Sequence, residues 1–182
     1  MTKEEITKRI QDKFGSSIEL VETNQPEPYI YVSSEKYHEL CQFLRDDSDL
    51  NFDFLFQLGA VHYSATQTAD KPDERSAQGR TAPAPSEAEA GRFEVVLCLS
   101  SHEKIHRMVV KVKLDKDNPE VVTISDIWQA ANWYEREALE LFGIKFTGHP
   151  DPRPLLLYDD WEYGFPMRKG WTGPDFIPMP EK

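Results

Sequence analysis

Three segments of the chain carry apolar residues at the spacing of an α-helix. The first begins after Thr2, which forms a capping-box pattern with Glu5, and ends at Gly15. The second begins after a capping residue at Ser33 or Ser34. The apolar positions are Ile6, Ile10 and Phe14 in the first helix and Tyr37, Leu40, Cys41 and Leu44 in the second.

The third predicted helix covers residues 126–142 and has the clearest start and end signals. Ser125 precedes it as a capping residue, Asp126 lies at the positive end of the helix dipole, and Gly143 follows its end. Its apolar side consists of Ile127, Ala130, Ala131, Tyr134, Ala138, Leu141 and Phe142. Its charged residues are expected mostly on the remaining surface, and they are Glu135, Arg136, Glu137 and Glu140.

Strand patterns occupy five further segments, in which apolar residues are dense or alternate with polar ones. They cover residues 17–23, 29–32, 52–63, 93–99 and 108–114. Along the chain the order is one helix, two strands, a helix, several strands and a helix. This order predicts an α+β fold, a two-layer sandwich of a mainly antiparallel sheet with about three helices.

Two segments follow neither pattern. Residues 65–91 contain alanine as their only apolar type, so we expect a disordered insertion in a hairpin connection. Residues 148–182 hold seven of the thirteen prolines together with many large apolar side chains. We therefore predict an α+β core domain over residues 1–147 and an extended, proline-rich, partner-binding tail over residues 148–182.

The formal net charge is −11, from 21 Lys and Arg against 32 Asp and Glu. Because an acidic chain lacks the basic surface that phosphates require, no nucleic-acid partner is expected. The apolar runs are far shorter than the ~20 residues of a membrane-spanning helix, and the first residues lack the apolar region of a signal peptide. Cys41 and Cys98 form no Cys-x-x-Cys pair, so we expect reduced thiols and no cysteine-ligated cluster or zinc.

His102, Glu103 and His106 match the H-E-x-x-H pattern of zinc proteases, in which a helix brings two His side chains to one metal. Here the pattern lies between two predicted strands, at a hairpin turn. In an extended chain the two His side chains would be about 13 Å apart, too far to share a metal ion. We therefore expect no metal site, and a metallohydrolase is kept only as the alternative from a different class.

A series of motifs extends from the third predicted helix into the tail. It consists of WYERE at 133–137, ELFGI at 140–144, F-x-GHP at 146–150, WE at 161–162 and G-x-P-x-RK at 164–169. This series resembles the signature of the 30 kDa subunit of respiratory complex I, the NuoC-type subunit of proton-pumping NADH:quinone oxidoreductase. The resemblance is dense from about residue 93 to residue 171.

The resemblance implies a structural and assembly subunit of the hydrophilic arm, without a catalytic residue, cofactor or metal of its own. It implies docking on the forty-nine-kilodalton D subunit, which forms the quinone pocket with a neighbour and is here termed the quinone-pocket subunit. FMN, iron–sulfur clusters and quinone would belong to that subunit and to other hydrophilic-arm subunits. The chain would lie at the cytoplasmic side of the bacterial inner membrane, bound to it only through the complex. Related subunits belong to complexes that receive electrons from ferredoxin, a reduced deazaflavin cofactor or a hydrogenase module. The resemblance therefore does not identify the electron donor.

Candidate contact residues follow from the same resemblance and from the composition of the tail. From spacing alone, the charged helix surface is most simply solvated or partner-facing, although paired carboxylates can also serve acid–base chemistry. Buried Trp and Arg side chains are common energetic hot spots of interfaces. The predicted partner interface comprises Glu135, Arg136, Glu137, His149, Arg153, Trp161, Arg168 and Trp171.

The insertion is expected to be dispensable for folding, because residues 65–91 contribute nothing to the predicted core. Closing a connection of this length rather than a four-residue turn costs only about 1.7 kcal/mol. Deleting the segment and joining the strands by a short turn should leave the melting temperature, measured by circular dichroism, within a few degrees of the full chain. Loss of folding on deletion would show that the segment packs against the core.

Overall fold

The computed structural model describes residues 2–21, 29–63 and 91–174. Within these residues the chain forms three α-helices and seven β-strands. The helices are α1 (Lys3–Phe14), α2 (Tyr37–Asp46) and α3 (Ala131–Phe142). The strands are β1 (Ile18–Val21), β2 (Tyr29–Val32), β3 (Phe54–Tyr63), β4 (Arg92–Ser101), β5 (His106–Leu114), β6 (Glu120–Val122) and β7 (Lys145–Thr147).

Five strands form one mixed sheet in the order β1-β2-β5-β4-β3. β2 and β5 run parallel, and the other neighbouring pairs are antiparallel. A separate parallel pair joins β6 to β7. The predicted α+β class with three helices is confirmed. The pattern of a strand does not reveal its partner, and three-residue strands are too short to show alternation, so the sequence predicts neither the parallel contact nor β6 and β7.

One face of the five-stranded sheet packs against the helices and forms the core. On β5 every second residue is buried, and β4 follows the same alternation with one additional buried residue, Glu94. The inward apolar residues of the two strands are Phe93, Val95, Leu97, Leu99, Met108, Val110, Val112 and Leu114. The predicted apolar stripes of α1 and α2 belong to the same cluster. Because burying one such side chain contributes about 1.5–3 kcal/mol, this cluster determines which side of each element turns inward.

The start of α1 follows the sequence signal and the start of α2 does not. In α1 the backbone N–H of Glu5 donates to Thr2 Oγ1 at 3.3 Å, and the N–H of Thr2 donates to Glu5 Oε2 at 2.8 Å, so the capping box is confirmed. The predicted serine cap of α2 is wrong, because the helix begins at Tyr37. The carbonyl of Ser33 accepts the N–H of Lys36 at 3.1 Å, and this contact makes a separate turn before the helix.

The predicted start of α3 is also wrong, because the helix begins at Ala131. The Ser125 hydroxyl does not cap it and instead lies 2.9 Å from Thr123 Oγ1. The carbonyl of Ile124 accepts the N–H groups of the third and fourth residues that follow it, both at 3.0 Å. A separate turn therefore connects β6 to α3 where the sequence predicts the first turn of the helix.

Glu135 is predicted on the charged surface of α3, and this is wrong because its side chain is completely buried. Its Oε1 accepts the backbone N–H of Ile124 at 2.8 Å, and its Oε2 accepts the hydroxyl of Thr123. Burial raises the pKa of Glu135 to about 7, although both hydrogen bonds act in the opposite direction. The carboxyl group thus ties the N-terminal half of α3 to the segment that leaves β6.

The H-E-x-x-H pattern spans the turn between β4 and β5, as predicted, and its last residue, His106, is the first residue of β5. His102 is exposed, and its Nδ1 lies 3.3 Å from the carboxylate of Asp53. His106 is buried, and its Nε2 lies 2.6 Å from the carbonyl of Leu50. The two rings therefore have separate partners, and among the described residues no group of three His, Cys, Asp or Glu side chains is placed to hold a metal ion.

Several sequence predictions concern residues outside the described part of the chain. They include the proline turn before β2, the insertion at 65–91 apart from Gly91, and the tail beyond residue 174. The flanks of the insertion are described, and Tyr63 pairs with Arg92 at the end of the β3–β4 ladder. None of the helices in the described ranges is long and apolar enough to cross a membrane.

The raised pKa of Glu135 predicts a loss of stability as the pH rises. A carboxyl group with a higher pKa in the folded chain binds more protons when folded, so its contribution is fully present below the unfolded pKa of about 4.5 and is lost toward pH 7. The free energy of unfolding of the wild type minus that of Glu135→Gln should fall by on the order of 3 kcal/mol over this range. Urea denaturation across the range measures it.

The matched control is Glu137→Gln, which removes one exposed carboxyl group from the same helix. The difference in the free energy of unfolding between the wild type and Glu137→Gln should change much less with pH. A pH-independent difference between the wild type and Glu135→Gln would contradict the raised pKa of Glu135.

Candidate partner interface

The tail begins at a buried histidine that fixes its first turn. Nε2 of His149 lies 3.1 Å from the carbonyl of Asn132 in α3, and Nδ1 accepts the backbone N–H of Asp151 at 3.1 Å. Because Nδ1 is an acceptor, the ring proton is on Nε2 and is donated to Asn132. Nε2 also lies 3.8 Å from Oε2 of Glu135. His149 therefore joins the exit from β7 to the buried side of α3.

Arg136 holds the next segment of the tail by its backbone. Its Nε donates to the carbonyl of Arg153 and its Nη2 to the carbonyl of Pro154, each at 2.8 Å. The side chain of Arg153 is itself exposed and pairs with both carboxylate oxygens of Asp151, at 2.6 and 2.8 Å. These hydrogen bonds lower the pKa of Asp151 to about 2. Of the two arginines, Arg136 orders the tail and Arg153 faces solvent.

Glu140 makes the most extensive contact between α3 and the tail. Its predicted place on the exposed charged surface is wrong, because the side chain is buried. Its carboxylate oxygens accept the consecutive backbone N–H groups of Leu155, Leu156 and Leu157 at 2.8, 2.8 and 3.2 Å. Hydrogen bonds to a charged group contribute about 1.5–3 kcal/mol each. Glu137, by contrast, is exposed on the same helix.

Arg168 closes the C-terminal end of α3. Its Nε donates to the carbonyl of Phe142 at 2.7 Å, and its guanidinium lies 4.9 Å from the ring centre of Phe93 and 4.3 Å from that of Phe165. The helix ends at Gly143 as predicted, with a φ of +72° that favours glycine. An added Cβ there would lie 2.6 Å from the side chains of Arg168 and Phe165. The glycine thus leaves the space in which the tail crosses the helix end.

Three aromatic side chains form a cluster within the tail. The rings of Trp161 and Trp171 lie 6.2 Å apart at 25°, and Tyr163 meets Trp161 edge-on at 5.2 Å. The indole N–H of Trp161 donates to the carbonyl of Gly164 at 2.6 Å, and that of Trp171 donates to the carbonyl of Tyr163 at 2.7 Å. These contacts fix the conformation of the tail around the cluster.

The outer surface of the tail is rich in apolar side chains. Five of the nine large apolar residues that are exposed in the described ranges belong to it. They are Leu156, Tyr158, Tyr163, Phe165 and Met167. Trp133 on α3 is also exposed, by 66%. Exposed apolar surface on an ordered segment is typical of a protein–protein contact site.

All eight predicted interface residues lie on α3 or on the tail. Four of them hydrogen-bond to neighbouring segments of this chain, namely Glu135, Arg136, His149 and Arg168. Sequence reasoning missed the inward role of Glu140 and the pairing of Arg153 with Asp151. Charge spacing shows which residues share a helix surface, but it carries no signal for N–H groups that return 15 to 17 residues later.

A protein-family model for the "Respiratory-chain NADH dehydrogenase, 30 Kd subunit" matches residues 30–176. The NADH-quinone oxidoreductase C subunit of Chlorobium phaeobacteroides is 31% identical over 164 residues, which cover 89% of this chain and 84% of the relative. The chain thus shares most of its length with a protein of that name.

Two solved structures share the fold. One is Nqo5 as a trypsin-resistant fragment (1–134), with a TM-score of 0.57, 23% identity, and coverage of 81% of this chain and 97% of the fragment. The other is a chain of the membrane-bound sulfane sulfur reductase, an archaeal respiratory membrane complex, with a TM-score of 0.56, 24% identity, and coverage of 92% and 81%. The family match spans α3 and the described part of the tail and agrees with the motif series. The chain therefore belongs to the family of the 30 kDa subunit of respiratory-chain NADH dehydrogenase.

Proposed function

We propose that the chain is a structural and assembly subunit of the hydrophilic arm of a proton-translocating NADH:quinone oxidoreductase, where it docks on the quinone-pocket subunit. Membership of the family and the relative named as a C subunit of NADH-quinone oxidoreductase support the complex. The observation that carries the docking role is the tail, whose backbone is held against α3 while its apolar side chains face outward. The core domain, residues 1–147, presents this tail, residues 148–182, to the neighbour.

An assembly role is supported by what the charged side chains of this surface contact. Glu140 and Arg136 direct their hydrogen bonds to backbone atoms of the tail, and Arg168 directs its own to the end of α3. Side chains that bind backbone atoms in this way maintain the position of the tail on α3. Acid–base catalysis, in contrast, needs a group within reach of a substrate proton. In this proposal the chain carries no catalytic residue, cofactor or metal, and FMN, iron–sulfur clusters and quinone belong to neighbouring subunits.

In the proposed interface, one set of residues positions the tail and another set contacts the neighbouring subunit. Glu135, Arg136, His149 and Arg168 position the tail. The neighbour meets the exposed Glu137 and Arg153 together with the half-buried cluster of Trp161 and Trp171. The chain would be peripheral, on the cytoplasmic side of the bacterial inner membrane, and would reach the membrane only through the complex.

A second candidate is the equivalent subunit of a related complex that takes electrons from ferredoxin, a reduced deazaflavin cofactor or a hydrogenase module. The likeness to a chain of the sulfane sulfur reductase shows that this fold also occurs in a respiratory membrane complex with a different name. Identification of the subunits that co-purify with the tagged chain distinguishes the two candidates.

Removing the tail should abolish docking without unfolding the core. A chain truncated after Thr147 should keep its circular dichroism spectrum but no longer recover the quinone-pocket subunit in a pull-down at equal concentration. Trp161→Ala should weaken the association by ~1–4 kcal/mol, the range typical of an interface hot spot. Ile105→Ala is the control, since Ile105 is an exposed apolar residue in the β4–β5 turn. Equal recovery with the truncated chain would contradict the docking role of the tail.

Loss of the Glu140 carboxylate should release the tail from α3. Glu140→Gln keeps the size of the side chain but places an amide N–H₂ group against the converging backbone N–H groups. Limited trypsin cleavage after Arg168 and Lys169 should become faster by on the order of 10-fold or more, as expected for the loss of a charged hydrogen bond from a locally opening segment. Glu137→Gln, from the exposed side of the same helix, should leave the cleavage rate unchanged. Equal rates for the two variants would show that Glu140 does not hold the tail.

A further inference from the structure

A cavity of about 380 Å³ lies between α3 and the tail. Leu139 of α3 lines it together with Leu157 and Phe165 of the tail. The cavity exists only because the tail returns over the helix, and its size lies within the usual range of preformed pockets in proteins.

The two charged groups of α3 that line this cavity already have partners. Arg136 donates to two tail carbonyls at 2.8 Å, and both oxygens of Glu140 accept tail N–H groups. Their hydrogen-bonding capacity is directed at the backbone, so an occupant meets mainly the apolar side chains. The interior therefore favours an apolar group.

The mouth of the cavity is acidic. Asp159 and Glu162 line it and are exposed, and within the described ranges neither forms a close ion pair, although the Arg153 guanidinium interacts with Asp159 at longer range. Arg153 also lines the cavity, but its charge is compensated by the ion pair with Asp151. An occupant that enters from outside therefore passes two exposed carboxylates, of which Asp159 is only partly offset by Arg153.

We propose that this cavity receives an apolar side chain of the quinone-pocket subunit, from a segment that carries Arg or Lys beside that side chain. The inference rests on the proposed docking function and gives the chemistry of its anchor. The basic groups would pair with Asp159 and Glu162 while the apolar group fills the space between Leu139 and Leu157. Because the tail is ordered by contacts within the chain, the pocket forms before the partner arrives, which reduces the ordering entropy lost on binding.

Two full-length variants test the proposal, one for the acidic mouth of the cavity and one for its apolar interior. Asp159→Lys with Glu162→Lys reverses the charge of the mouth at exposed positions, so the fold should be preserved. Leu139→Trp fills the cavity from the helix side. The control, Asp12→Lys with Asp117→Lys, makes the same change of net charge at exposed positions on α1 and on the β5–β6 turn. Binding of the purified quinone-pocket subunit is measured by surface plasmon resonance at low and high salt.

The mouth variant should bind at least 10-fold more weakly than the control at low salt, and the deficit should shrink at high salt because exposed charges are screened. The affinity of the Leu139→Trp variant should be at least 10-fold weaker than that of the wild type at both salt concentrations. If the wild type binds and the mouth variant binds as tightly as the control, the pocket is not the anchor, although docking stands. If the wild type does not bind the quinone-pocket subunit, the docking function and the pocket proposal both fail. Should Leu139→Trp not fold, the mouth variant decides the result.

Discussion

Three consecutive backbone N–H groups of the tail converge on one buried carboxylate, that of Glu140. A proline-dense segment cannot place its N–H groups in a helix or a central strand, so each must find an acceptor elsewhere. Glu140 provides that acceptor from a rigid helix and thereby determines where the tail runs. The cavity beside Leu139, the crossing of the helix end and the outward direction of Leu156 all depend on this path.

Two further ionisable residues of α3 and one of the tail act in the same way along the helix. Glu135 holds the connection from β6 at the start of the helix, and Arg136 holds two tail carbonyls in the first half. At the far end Arg168 reaches back from the tail to the carbonyl of Phe142. Each is an ionisable group bonded to a backbone atom, and where the group is ionised the contact is stronger than a neutral hydrogen bond. The helix therefore serves as a frame whose charged residues organise irregular segments.

These contacts explain which parts of the structure the sequence can predict. The stripe of Ile6 and Ile10 and the alternation of β5 depend on local spacing, so they are recovered correctly. Ser125 fails as a cap because a separate turn that begins at Ile124 lies between it and the helix start at Ala131. The predicted exposure of Glu135 and Glu140 is wrong because their carboxylates accept backbone N–H groups 11 to 17 residues away in sequence. The periodicity of a helix carries no information about such distant partners. Both residues nevertheless lie in the motif series, because that series rests on residue identity and not on local spacing.

An ordered tail changes the energetics of a docking surface. A disordered segment loses its conformational freedom at the moment of binding, whereas a segment held by Glu140, Arg136 and Arg168 has lost most of it during folding. More of the free energy gained from burying exposed groups such as Tyr158 and Met167 then remains for association. In the proposed interface, a substitution at a positioning residue should consequently weaken binding by loosening the tail, without removing a group that meets the partner. The buried carboxylates of α3 would then influence assembly through the order of the tail, and the exposed aromatic side chains would influence it through contact.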